Sequence, residues 1–312
     1  MRPMIEGYLL LAVSIAAGTV KGYLGKKTSV YAENETDAVF LNSVRILICA
    51  LISGVLACVG GNIANIASVE PGTIAVSAMN GASTAVFIVS WLLAVKTGAF
   101  MLVNVFLNLG LAVPLVMCSV LYGDKVLPVQ WAGVIVLLFA AYLMVGYNVG
   151  LNGKMKIRDF VLLFICAFSS GLGEFFVGKA FVELKNNDSN AVFNFYTYLF
   201  GFVVLIVVFL FFRKFGNKEH EKLKIMAIRL KSAYFMVSVM ALCLFLNTYF
   251  KTEAGRFLSS VQLYPVSIGV SLICSTLVAA VFFKERPNKK CIVGVALNFA
   301  ALIIINVIPK LI

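Results

Sequence analysis

Three ionisable residues lie well inside long apolar runs: Lys21, Arg45 and Glu174. A charge in hydrocarbon costs roughly 2.5–3.5 kcal/mol even on lenient insertion scales, so such groups face protein or a water-filled cavity. There they bind a ligand, exchange a proton or brace the structure. Lys21 and Glu174 are also related to each other. Residues 16–45 and 169–198 align without a gap, matching Lys21 to Glu174, Gly18 to Gly171, Gly25 to Gly178, Lys26 to Lys179 and Arg45 to Tyr198. On a helix, Ala17, Gly18, Lys21 and Gly25 share one face, just as Ser170, Gly171, Glu174 and Gly178 share another. Stripes of small residues let helices approach closely and keep polar groups away from lipid.

Each of the two charges lies about five residues from the lysine at its span end, or roughly 8 Å inside at 1.5 Å per residue. If the copies are inverted, about 14 Å of vertical distance separates the two backbones across a core about 30 Å thick. A substrate with separated charges fits that gap, as does one with a cationic group facing Glu174. Structural readings stand beside these. Lys21 can snorkel to the interface, Glu174 can pair with Lys179 or another neighbour, and Arg45 can brace nearby carbonyls two turns into its span. Lys26 and Lys179 read as interfacial anchors.

A polar and aromatic set can complete a binding cavity: Tyr23, Asn42, Asn80, Trp91, Asn104, Phe176, Asn194, Tyr198, Asn247, Tyr249, Gln262 and Tyr264. Buried amides in a membrane need hydrogen-bond partners from other helices, water or ligand, whereas many aromatics serve packing or the interfacial belt. Pro265, directly after Tyr264, frees a backbone carbonyl and permits a kink. Gly18 and Gly171 are expected to set close helix approach or gating.

The elements that must position these residues are membrane helices. The chain is 61% hydrophobic and 13% charged, with a mean hydropathy of +0.98, too apolar to clothe a soluble fold of this length. Runs of roughly 20 residues give ten spans, near 7–25, 38–59, 73–94, 99–121, 127–147, 159–182, 191–212, 233–250, 257–282 and 291–309. The expected fold is an all-α membrane protein of ten transmembrane helices. Two inverted five-helix repeats, residues 1–150 and 151–312, would surround a central cavity.

The net charge of +12 comes with no nucleic-acid motif, and its basic residues lie mainly in loops and at span ends, as a bilayer-held protein requires. One set of loops holds most of them, including Arg213, Lys214, Lys218, Lys222, Lys224, Arg229 and Lys231; the other holds Arg2, Lys125, Lys179, Lys185, Lys251, Arg256 and Lys310. This count favours both termini outside. The seven cysteines lack metal-ligand spacing, and neither metal nor cofactor is expected. The single histidine, His220, sits in a charged loop, and no nucleophile, acid-base or phosphate-loop constellation argues for an enzyme.

A second, looser repeat sets Tyr122-Gly123-Asp124-Lys125 with Gly133 beside Phe283-Lys284-Glu285-Arg286 with Gly294. Together with the Gly18/Lys26 and Gly171/Lys179 pairs and Arg45, it makes the chain resemble the drug/metabolite transporter superfamily, of the EamA-like type. The tryptophan-glycine pair common in that family is replaced here by Ala17-Gly18 and Ser170-Gly171. The membrane glutamate of the related small multidrug resistance proteins is absent from the position beside Gly18 or Gly171 where the resemblance would place it.

The resemblance implies a cell-membrane secondary transporter working by alternating access, with both termini inside, as monomer or homodimer. Its cargo is a small molecule, with an amino-acid-like zwitterion or an organic cation favoured and proton coupling open. A channel would need a continuous polar path. A non-transporting membrane partner or a lipid-carrier flippase subunit of the same fold is the alternative.

Overall fold

The computed structural model describes residues 2–59, 66–97, 103, 106, 107, 109–145, 157–215, 223–284, 288–306 and 308–310. All regular structure among them is helical. In chain order the helices are α1 (Arg2–Ser29), α2 (Glu35–Val59), α3 (Pro71–Thr97), α4 (Ala112–Tyr122), α5 (Pro128–Val145) and α6 (Ile157–Phe175). A π-helical turn, Phe176–Ala180, and a last turn, Phe181–Glu183, continue α6. Then come α7 (Asn190–Phe215), a short helix Leu223–Arg229 with a 3₁₀ turn, α8 (Tyr234–Gly255), α9 (Ser260–Phe282) and α10 (Lys289–Asn306).

Among the described residues, seven helices are long and apolar enough to cross a membrane, and three shorter apolar helices, Ala112–Tyr122, Pro128–Ala140 and Ile292–Ile305, accompany them. The chain is an all-α, multi-pass membrane protein. Its surface supports this: Val55, Val207 and Phe235 are 63%, 61% and 79% exposed, while Asn80, Asn194 and Asn298 are buried. In water that distribution would be inverted, so the exposed apolar side chains face lipid.

Local chemistry sets the helix ends. Asn34 caps α2 by accepting from the Asp37 backbone N–H at 2.8 Å, and Pro71 and Pro128 open α3 and α5, where a missing N–H does no harm. Gly123 ends α4 in the left-handed region (φ 68°), a conformation that glycine adopts without Cβ strain. A capping box of Ser259 and Gln262 starts α9.

Packing joins the helices in a definite set of neighbours. The most extensive contacts are α1 on α8, α5 on α10 and α2 on α7; α3 packs on α6 and α7, α8 on α2, α4 on α6, and α1 on α9. Two expectations change here. The eighth helix does not stop near residue 250: it runs over Tyr234–Gly255, so Lys251 is a buried helical residue, 5% exposed, and not a loop charge. Asn104, Glu285, Arg286 and His220, and the boundary near residue 150, lie outside the described residues.

Candidate functional site

The charges converge on a cavity of about 140 Å³, room for on the order of ten waters. Its walls come from Gly18, Thr19, Lys21 and Gly22 of α1, Arg45 of α2, Phe87, Ile88 and Trp91 of α3, and Leu107. Ser170 and Glu174 of α6, Leu244, Asn247 and Lys251 of α8, and Ser267, Ile268, Ser271, Leu272 and Ser275 of α9 complete it. Helices from both ends of the sequence therefore meet at one site.

Glu174 is engaged by Lys251, whose Nζ donates to both carboxylate oxygens at 2.6 and 2.8 Å. The backbone explains why the two meet. Directly after Glu174 the helix widens into the π turn, and α8 docks against that turn so closely that a Cβ on Gly255 would overlap the Gly178 carbonyl oxygen. Lys179 Nζ, one turn beyond Glu174, donates to the Gly255 carbonyl at 3.0 Å. Lys251, one turn before Gly255, is thereby brought level with Glu174. Irregular helical turns of this kind are frequent at functional sites. The suggested Glu174–Lys179 pair does not form; Lys179 lies 3.8 Å from Glu183 instead.

Lys21 also lines the cavity, within electrostatic reach of Lys251, Arg45 and Glu174. Arg45 is 4% exposed, lines the cavity, and its Nε has no hydrogen-bond partner among the described residues. The opposite wall is held by Asn247, which donates to the Ser14 carbonyl at 2.8 Å and to its hydroxyl at 3.0 Å, while the Ser14 hydroxyl donates to the Asn247 carbonyl at 2.7 Å. This exchange locks α1 to α8. Gly18 is needed beside it, because a Cβ there would come within 3.0 Å of the Asn247 amide.

Of the residues singled out from sequence, Glu174, Lys21, Arg45, Trp91, Gly18 and Asn247 line the cavity. The others are placed elsewhere. Tyr198 is buried behind it, its hydroxyl 2.5 Å from Thr248 Oγ1. Asn42 donates to the Ala38 carbonyl of its own helix at 2.8 Å, and Asn194 to Asn190 at 2.6 and 2.9 Å. Asn80 bonds Thr197 Oγ1 at 3.3 Å and ties α3 to α7. Gln262 serves the α9 cap, Tyr264 packs on Gly178, and Tyr23 packs tilted against Phe282 and Phe283, ring centroids 5.0 and 5.6 Å apart. Phe176 lies in the core beside Phe175, and Tyr249 stacks on Phe245.

Gly171 lets α6 approach the Gly110 carbonyl. Pro265 is buried within α9. In a bilayer a polar side chain that can bond its own helix or a neighbour satisfies itself there, and sequence alone does not say which will do so.

Lys251 and the α9 serines were missed. Asn247, Lys251 and Gly255 recur every four residues, as do Ser267, Ser271 and Ser275. Such polar stripes in an apolar helix were the available signal.

Residues 159–307, which span α6 to α10 and include Glu174 and Lys251, match the EamA-like transporter family. This stretch, just under half of the chain, is similar to that family's domain. The family sits in the drug/metabolite transporter superfamily, and its members are typically transporters and not enzymes. The matched stretch contributes the acid, its lysine partner and the serine stripe of the cavity, while Lys21 and Arg45 come from the preceding helices. A solved structure described as "Crystal structure of protein" is similar over 99% of this chain and 98% of that chain, with a TM-score of 0.69 and 13% identity; at that identity the likeness concerns the fold alone. No curated protein matches the sequence.

Proposed function

We propose that this protein is a secondary transporter that carries a small polar organic metabolite through the cavity by alternating access. The match of residues 159–307 to the EamA-like family points to secondary transport; the substrate and the inverted arrangement are our reading. The observation that carries it is a cluster of four buried or half-buried charges, Lys21, Arg45, Glu174 and Lys251, on helices drawn from both halves of the sequence. Charged groups in a membrane interior mark substrate or ion pathways.

Packing supports two symmetry-related halves, 1–150 and 151–312, which an odd number of crossings in each would invert. If α1 to α5 correspond to α6 to α10, the α1–α8 contact has its counterpart in α6–α3, α1–α9 in α6–α4, and α2–α8 in α7–α3, while α2–α7 and α5–α10 map onto themselves. A two-fold relation between halves produces this pattern. Rocking of one half on the other then exposes the cavity alternately to each side.

The Glu174–Lys251 pair bears on the cargo. An organic cation facing Glu174, favoured from sequence, would have to displace a lysine that holds both carboxylate oxygens, so the geometry argues against it.

The test is solute counterflow in liposomes containing only the purified protein, with a panel of organic acids, amino acids, amines, sugars and nucleosides. Saturable flux that falls at least tenfold in a folded Ser271→Leu variant, whose larger side chain narrows the cavity that Ser271 lines, is the expected result. Absence of flux for every class, from protein that remains folded in the vesicles, overturns the reading. Imposed pH gradients in the same vesicles report proton coupling.

A further inference from the structure

We propose that the cavity is an organic-anion site, in which a small hydroxylated carboxylate seats its carboxylate on Arg45, with Lys21 as second cation and its hydroxyls toward the serines of α9. This deepens the transporter reading and rests on it.

Arg45 carries the inference. Its guanidinium is buried, lines the cavity, and has an Nε without a partner among the described residues. Arginine does not shed its charge in proteins, so a ligand or solvent must answer it. The one acid among the lining residues, Glu174, has both oxygens on Lys251. Tyr198, the residue behind Arg45, has its hydroxyl against Thr248. Lys21 adds another positive charge in reach of Arg45. The lining residues thus hold three bases and one acid, and that acid is engaged.

This surplus repels cations and draws anions. The planar guanidinium fork matches a carboxylate better than a spherical ion. Ser267, Ser271 and Ser275 of α9 also line the cavity. Ser275 donates to the Ser271 carbonyl at 2.7 Å, which leaves its oxygen free to accept from a ligand hydroxyl. Asn247 and Trp91 bound the rest, and the volume of about 140 Å³ suits a compact organic acid and not a nucleotide sugar.

Trp91 lines the cavity and the chain has two tryptophans, so a Trp131→Phe background makes its fluorescence a direct reporter of binding. The titration series is gluconate, malate, lactate, propionate, inorganic phosphate, choline, spermidine and glycine. Saturable change with the hydroxylated carboxylates, weakened about tenfold to a hundredfold by a folded Arg45→Gln variant and less by Arg45→Lys, is expected. Equal affinity in folded Arg45→Gln overturns the proposal, as does a response to choline, spermidine or glycine in place of the acids.

Should Arg45→Gln fail to fold, Lys21→Gln carries the test. Malate must then lose more affinity than lactate, and equal losses or none overturn it. Flux of amines or neutral solutes without anion binding refutes the anion site and leaves transport standing; anion binding without flux refutes transport alone; neither binding nor flux refutes both.

Discussion

Replacing Lys251 by Met is the sharpest perturbation of the site. Methionine keeps most of the length and apolar volume of the lysine stem, so the change isolates the loss of two charge-assisted hydrogen bonds, at 2.6 and 2.8 Å. Breaking a buried pair from one side typically costs about 3–5 kcal/mol, because the partner charge is left uncompensated. Here Lys251 is 6% exposed and Glu174 20% exposed toward the cavity, so partial solvation of the carboxylate puts the expected loss near the lower end, about 3 kcal/mol.

The double variant Glu174→Gln with Lys251→Met removes both charges and should return to within about 1 kcal/mol of the parent protein, since a buried pair contributes little net stability over neutral groups. The assay is denaturant unfolding in detergent micelles, followed by tryptophan fluorescence, arranged as a double-mutant cycle. Additive losses, with no recovery in the double variant, would refute the view that these two residues form one electrostatic unit.

Further outcomes follow from the same contacts. Gly255→Ala places a methyl group against the Gly178 carbonyl and should lower stability by about 1–3 kcal/mol while slowing transport, as read by melting and flux together. Asn247→Leu removes the two bonds that the Asn247 amide donates to Ser14, leaving the Ser14 hydroxyl on the residue 247 backbone carbonyl, and should cost about 1 kcal/mol, the usual scale for interhelical bonds in membranes, measured by unfolding in micelles. Tyr198→Phe loses the hydroxyl bonded to Thr248 and should lower stability by a similar amount, about 1 kcal/mol, yet leave solute affinity in the fluorescence titration nearly unchanged. A tenfold loss of affinity there would place Tyr198 in the binding site.

Seven of the ten expected spans were legible because bilayer thickness imposes a length that apolar runs report directly; the other three are shorter apolar helices among the described residues. The grouping of Lys21 with Glu174 was legible too, since their small-residue stripes and the internal alignment pointed both to an interior face. Lys251 escaped because a window of about 20 residues begun at 233 ends just before it, whereas the helix runs over Tyr234–Gly255 and brings the lysine inside.

The polar set was separable only in part. Asn42 turns back to the Ala38 carbonyl while Asn247 reaches across to Ser14; which of these an asparagine does depends on how its helix is rotated against neighbours. Pairings such as Glu174–Lys251 depend on the same rotation and on the π turn, and neither leaves a periodic trace in the sequence.

The π turn at Phe176–Ala180 accommodates an extra residue relative to a regular helix. Winding those residues as a regular α-helix with none removed would swing everything before them by about 100° around the axis relative to Lys179 and Glu183. Glu174 would then point away from Lys251 although no charged residue had been altered, whereas deleting one residue along with the bulge would keep the acid on its present face. The acid's address in the cavity is thus written in the winding of the helix as much as in its lettering.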